Sequence, residues 1–237
     1  MMSARRRKAD AIANVKRRFL ASAIPVQFEY VVHVFSEGET ELRYLYDITK
    51  KKSVKIVPVP CRTSSPHMLM RQARDWAFEH QKLFTIKRSQ DGATHLIWVL
   101  FDDDEKTNDI AQTVAEFANL PRGVSRARLK RYTPPKIHVG YMKPCIELWG
   151  AMCVKGDNKG LPRTHGAVES ALSRIMKGYN HNSNRYFDVK QMVNTSKACK
   201  LAAQWENTYG EFPACINATY FACIHSLVTL ICSAKDR

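Results

Sequence analysis

The run Leu96-Ile97-Trp98-Val99-Leu100-Phe101 carries no charge and then stops abruptly at Asp102-Asp103-Asp104-Glu105. A continuous apolar run of this kind suits a strand covered on both faces, as in a parallel sheet. A second run, Phe28-Glu29-Tyr30-Val31-Val32-His33-Val34-Phe35, is β-branched and aromatic and reads as an earlier strand. It ends in the same way, at Ser36-Glu37-Gly38-Glu39-Thr40-Glu41. Two apolar strands, each delivering acids at its end, constrain both the fold and the chemistry.

Helical patterns fill the intervals. Ser36 and Glu39 have capping-box spacing, and Leu42, Leu45 and Ile48 give the following helix an apolar stripe. A short strand is expected over 54–59, a helix from His67 to about Lys87, and another from Thr107 to Asn119. A strand over 136–141 and a helix over 145–154 complete an α/β alternation. Beyond residue 155 strand signals nearly vanish, and 167–177, 188–209 and 218–232 read as helices. The expected organisation is a basic arm (1–24), an α/β core (25–155) and a helical C-terminal region (156–237) packed on that core.

The formal charge of +15 over 237 residues fits a nucleic-acid partner better than a small neutral substrate. The stretch holding Arg126, Arg128, Lys130, Arg131 and Lys143 is free of acids from Pro121 to Lys143 and reads as a groove for a phosphate backbone. The seven cysteines are odd in number and form no CxxC, which is the usage of reduced, buried thiols in a cytoplasmic protein. Cys223, His225 and Cys232 are close in sequence but lack a second ligand pair for structural zinc. No stretch reads as a secretory signal or a membrane span, so no membrane partner is expected.

In open α/β sheets, functional groups collect at the carboxyl ends of strands. Glu37 and Asp102 both stand there, and if their strands are parallel neighbours the carboxylates converge. Such acids repel unless a cation joins them, and hard oxygen ligands suit Mg²⁺ or Mn²⁺. Glu41, four residues after Glu37, faces the same way on a helix, and strand parity puts Asp102 and Asp104 on one side. Glu147 is an acid among apolar residues at a helix start, where burial requires a partner. Acids also gather at helix N-termini for dipole reasons alone, which is the reading left to Glu39.

The Glu37-Gly38 and Asp102-x-Asp104 pairing resembles the Toprim fold of topoisomerases, primases and related nucleases. More narrowly, the ordered elements Glu37-Gly38-Glu39-Thr40-Glu41, Asp102-Asp103-Asp104-Glu105 and Pro144-Cys145-Ile146-Glu147-Leu148-Trp149 resemble the EGxTE, DxD-E and NPxFELW-like elements of the RloB family. Met142-Lys143 before Pro144, and Ala151-Met152-Cys153, depart from that pattern. The resemblance implies an α/β, Toprim-like Rossmannoid parallel sheet flanked by helices. It also implies a metal-dependent nuclease of prokaryotic defence, often encoded beside an ATPase. Carried over, Asp102 and Asp104 would hold Mg²⁺ or Mn²⁺, Glu37 would bind it or move protons, and Glu41 and Glu147 would be auxiliary.

The expected activity is therefore endonucleolytic cleavage of DNA or RNA, with tRNA among the RNA candidates. Two readings remain beside it: a non-catalytic nucleic-acid- or ATPase-binding subunit, and another DxD-metal enzyme of phosphate chemistry such as a nucleotide-sugar transferase. A homodimer is left open.

Overall fold

The computed structural model describes residues 27–61, 65–85, 92–103, 111–116, 135–180, 186–218 and 221–237. The apolar runs form one five-stranded sheet in the order β2-β1-β3-β4-β5. Its strands are β1 (Tyr30–Ser36), β2 (Val54–Pro58), β3 (Thr94–Asp102), β4 (Ile137–Lys143) and β5 (Phe221–Ala222). The first four are parallel, and β5 pairs antiparallel with β4 through Met142↔Ala222 and Lys143↔Phe221. From β1 the chain moves to one side to build β2 and then to the other to build β3. The switch point of the sheet therefore lies between β1 and β3.

Strand parity sorts the side chains onto two faces. Val32, Val34, Trp98, Leu100 and Met142 turn to one face and pack with Tyr44 and Leu45 of α1 (Glu39–Thr49) and with α4 (Ile146–Lys155). Phe35, Ile97, Val99, Phe101 and Tyr141 turn to the other and pack with Leu69, Met70 and Ala73 of α2 (Pro66–Glu79). A short helix, α3 (Lys82–Thr85), follows α2, and residues 111–116 are also helical. Arg71 and Arg74 of α2 both reach Glu116, at 2.5 and 3.4 Å. Gly140 is required by packing on the first face, since a Cβ there would stand 2.3 Å from Leu100 Cδ2.

Helix α4 is buried from Ile146 through Cys153, as a helix that is apolar nearly all round must be. It packs against α5 (His165–Ile175) and α6 (Thr195–Tyr209), and α7 (Ile224–Ser233), packed on α6, joins the same hydrophobic cluster. Gly156 ends it in the left-handed conformation (φ 85°), with its N–H donating to the Met152 carbonyl at 2.6 Å.

Three local expectations are corrected. The Ser36–Glu39 capping box does not form, because Ser36 is still in β1, paired with Leu100, and Gly38 is the N-cap residue. Ser36 Oγ instead bonds the backbone of Gly38, while Glu39 is exposed and pairs with Arg43 at 3.5 Å. The helices read over 188–209 and 218–232 are shorter, covering Thr195–Tyr209 and Ile224–Ser233. The C-terminal third also supplies β5 and a 3₁₀ turn (Ala214–Asn217), so it extends the sheet as well as covering it. Ser53 N–H donates to the Lys235 carbonyl at 2.8 Å, tying that third to the start of β2. Among the described residues no helix is long and apolar enough to cross a membrane.

Candidate metal centre

The carboxyl ends of β1 and β3 lie side by side, and the Glu37 N–H donates to the Leu100 carbonyl at 3.2 Å. This backbone bond places Glu37 at the switch point, one strand from Asp102. Adjacent residues at the end of β3 then diverge. Asp102 turns to the α1/α4 face, where it accepts a hydrogen bond from the Ile146 N–H at the start of α4. Asp103 turns to the opposite face, where it accepts the Tyr141 hydroxyl at 2.5 Å and lies 3.5 Å from Lys143 Nζ.

Glu41 and Glu147 close the first group. Glu41, in the first turn of α1, is 3 % exposed and accepts a 3.4 Å hydrogen bond from Ser36 Oγ. Gly38 leaves room for it, since a Cβ there would stand 3.0 Å from Glu41 Oε2. Glu147, in the first turn of α4, is also 3 % exposed, and its Oε1 accepts the Tyr179 hydroxyl at 2.8 Å. The N-termini of α1 and α4 thus both present acids to the end of β3, the helix end where backbone dipoles favour negative charge.

The dipoles do not offset burial. Glu41 is pushed up to about 7 by burial, reinforced by the charges of Glu147 and Glu37. Asp102 is held well above the usual carboxylate range by burial first, then by Glu41, Glu147 and Glu37. Asp102 Oδ1 is buried and has no hydrogen-bond partner among the described residues. A buried carboxylate oxygen without a donor, facing further carboxylates, is costly unless a cation completes it. The donor set is oxygen throughout, which fits a hard divalent ion.

The charges of Glu37, Glu41, Asp102 and Glu147 therefore act on one another at the end of β3, although among the described residues no three of them bring ligand atoms within 4.8 Å of one another. Asp104 lies outside the described residues, as do Arg126, Arg128, Lys130 and Arg131 of the expected phosphate groove. Lys143, placed in that groove by the sequence, has its ammonium on the Ile216 carbonyl at 2.8 Å and beside Asp103. Its position in β4, opposite Phe221 in register, turns it toward the 214–221 segment. Cys223, His225 and Cys232 do not gather: His225 Nε2 meets Glu206 at 3.1 Å, and Cys223 hydrogen-bonds with Cys215. Sequence reasoning missed the surroundings of Glu147. Cys145, at the N-cap of α4, and His165, which opens α5, both lie beside it.

A family model described as RloB-like protein matches residues 32–231, a range that holds Glu37, Glu41, Asp102 and Glu147. The chain belongs to the RloB-like family. No curated protein and no solved structure matches it. The matched segment of this RloB-like chain runs from within β1 to within α7, so the C-terminal helices belong to the family unit as much as the acid-bearing strands do.

Proposed function

We propose that this RloB-like chain is a Toprim-type, divalent-metal-dependent phosphodiesterase that cuts DNA or RNA. The observation that supports this most strongly is Asp102 Oδ1, buried without a hydrogen-bond partner among the described residues and under the charges of Glu37, Glu41 and Glu147 at the switch point of a parallel sheet. Asp102 and Glu37 would hold Mg²⁺ or Mn²⁺, joined by Asp104, with Glu41 and Glu147 in support. Bound there, the ion would polarise a phosphodiester and lower the pKa of a water.

The chain's own groups have distinct parts in this reading. Asp102 is oriented by the Ile146 N–H, and its buried Oδ1 has no hydrogen-bond partner among the described residues. Glu41, raised to about 7 by burial and the neighbouring acids when no ion is bound, would be drawn to its charged form by a cation and so support the ion. Glu147 is fixed by Tyr179. The +15 formal charge favours approach of a polyanion. On the family resemblance the reading extends to a cytoplasmic effector of prokaryotic defence that works beside an ATPase and takes tRNA among its substrates.

The test is incubation of the purified chain with plasmid, single-stranded DNA and total tRNA, in Mg²⁺, Mn²⁺ or EDTA, alongside Glu37→Ala and Asp102→Ala. Metal-dependent cutting lost in both variants is the expected result. Equal cutting by the variants overturns the site assignment. Inactivity in every condition, with or without an added ATPase, overturns the phosphodiesterase reading in favour of a non-catalytic metal-binding subunit.

A further inference from the structure

One ligand group near the carboxylates has a different chemical character. The Cys145 sulfur, a Glu147 carboxylate oxygen and a His165 ring nitrogen all lie within 4.8 Å of one another. Thiolate and imidazole are softer donors than the oxygens around Asp102, and they favour a borderline transition ion over Mg²⁺. We propose that Cys145, Glu147 and His165 form a separate binding site for Zn²⁺ or a chemically similar ion, with Glu147 as the wall between this site and the Asp102 cluster.

The side chains are held as ligands are. Tyr179 donates to Glu147 Oε1 at 2.8 Å and so fixes the carboxylate, the part played by outer partners in metal sites. Glu147 Oε2 faces His165 Nε2 at 3.9 Å. That separation is too long for a hydrogen bond, and it is close to the edge of a tetrahedron of ligands, roughly 3.4 Å for donors about 2.1 Å from the ion. Cys145 and Glu147 sit on one rigid element, at the N-cap and in the first turn of α4, and His165 opens the helix packed against it.

Glu169, one turn beyond His165, reaches Nε2 at 2.8 Å and would either yield that nitrogen or join as a fourth ligand. The His165 side chain is 36 % exposed, which gives an ion a way in, while Cys145 is fully buried. Without a cation the thiol is inert: burial, then the charges of Glu147 and Asp102, push it far above its ordinary value. The site requires neither Asp102 nor Glu37, so it stands independently of the phosphodiesterase reading.

The experiment is titration of the EDTA-stripped full chain with Co²⁺, followed by absorption. The expected result is a near-ultraviolet thiolate-to-cobalt charge-transfer band with the visible bands of a four-coordinate ion, both removed by Zn²⁺ and not by excess Mg²⁺. Cys145→Ser should abolish the charge-transfer band. His165→Ala, at a partly exposed position, should weaken cobalt binding by at least on the order of tenfold, the loss typical when only an outer partner is removed. Asp102→Asn should keep the band although it removes the hard-ion set. A band that survives in Cys145→Ser, unchanged affinity in His165→Ala, or no band at all would overturn the proposal. Should Cys145→Ser fail to fold, as judged by circular dichroism, the His165→Ala result decides alone.

Discussion

Asp102, the last residue of β3, and Asp103, the residue after it, live in opposite worlds. On the α2 face, Asp103 meets the Tyr141 hydroxyl and Lys143, so its charge is answered by a donor and a cation. On the α1/α4 face, Asp102 meets three more carboxylates and leaves one oxygen without a partner among the described residues. One face satisfies its acid from within the chain, as a structural element does. The other concentrates acids and leaves Asp102 Oδ1 without a hydrogen-bond partner among the described residues, which is the arrangement expected where an outside cation is part of the design. Residue type is the same in the two places; only the neighbours differ.

The sharpest way to break this comparison is substitution at both positions with activity as the readout. Asp102→Ala is expected to lower metal-dependent cleavage on the order of a thousandfold or more, the scale of several kcal/mol of lost transition-state stabilisation. Asp103→Ala should leave cleavage by the folded fraction unchanged. Equal losses in a cleavage assay would erase the distinction between the faces.

Next in size is a pH effect confined to the acid-rich face. Folded Glu41 titrates near 7 against an ordinary value of 4.5, so above pH 4.5 the folded chain retains a proton that the unfolded chain has released. The contribution of Glu41 to stability in EDTA is therefore fully present below about pH 4.5, is lost as pH rises to about 7 and levels off beyond, a change of roughly 3 kcal/mol. Urea midpoints across that range should show the decline, and Glu41→Gln or added Mg²⁺ should flatten it. A wild-type profile that rises with pH, with no difference from Glu41→Gln, would count against the cluster.

The α2 face has its own, smaller signature. Asp103→Ala strands the buried Tyr141 hydroxyl and should cost about 2 kcal/mol in chemical denaturation, independent of divalent ions. The smallest effect belongs to Glu39, exposed and paired among the described residues with Arg43: Glu39→Ala should change stability by no more than about 0.5 kcal/mol and leave cleavage intact. A large effect there would mean that the acid-rich site extends further along α1 than the structure indicates.

Much of the sheet could be read from the chain because β1 and β3 are written in residues that are buried on both faces, a pattern only a covered strand satisfies. The convergence of Glu37 and Asp102 followed from that, since parallel neighbours bring their carboxyl ends to one place. Local chemistry misled where it competed with pairing: Ser36 looked like a helix cap but is occupied in β1. Long-range partners left no local trace. Asp103 is satisfied by a tyrosine 38 residues away, and β5 is two residues long, too short for any periodicity to register. His165 offered one signal, its spacing to Glu169, and starting that helix at Ala167 hid it.

The switch point between β1 and β3 also sets when the acidic cluster can exist during folding. Its acids arrive on segments that become neighbours only after the crossover through β2 and α2 has closed and α4 has docked. Non-local parallel pairing of this kind is slow relative to local structure, because loop closure precedes any reward in contacts. The repulsion among these carboxylates is therefore deferred to the last steps of assembly and does not burden the nucleus. In refolding followed by stopped flow, tight divalent binding should appear with the final phase, and its appearance in an early phase would show that the acids meet before the sheet is complete.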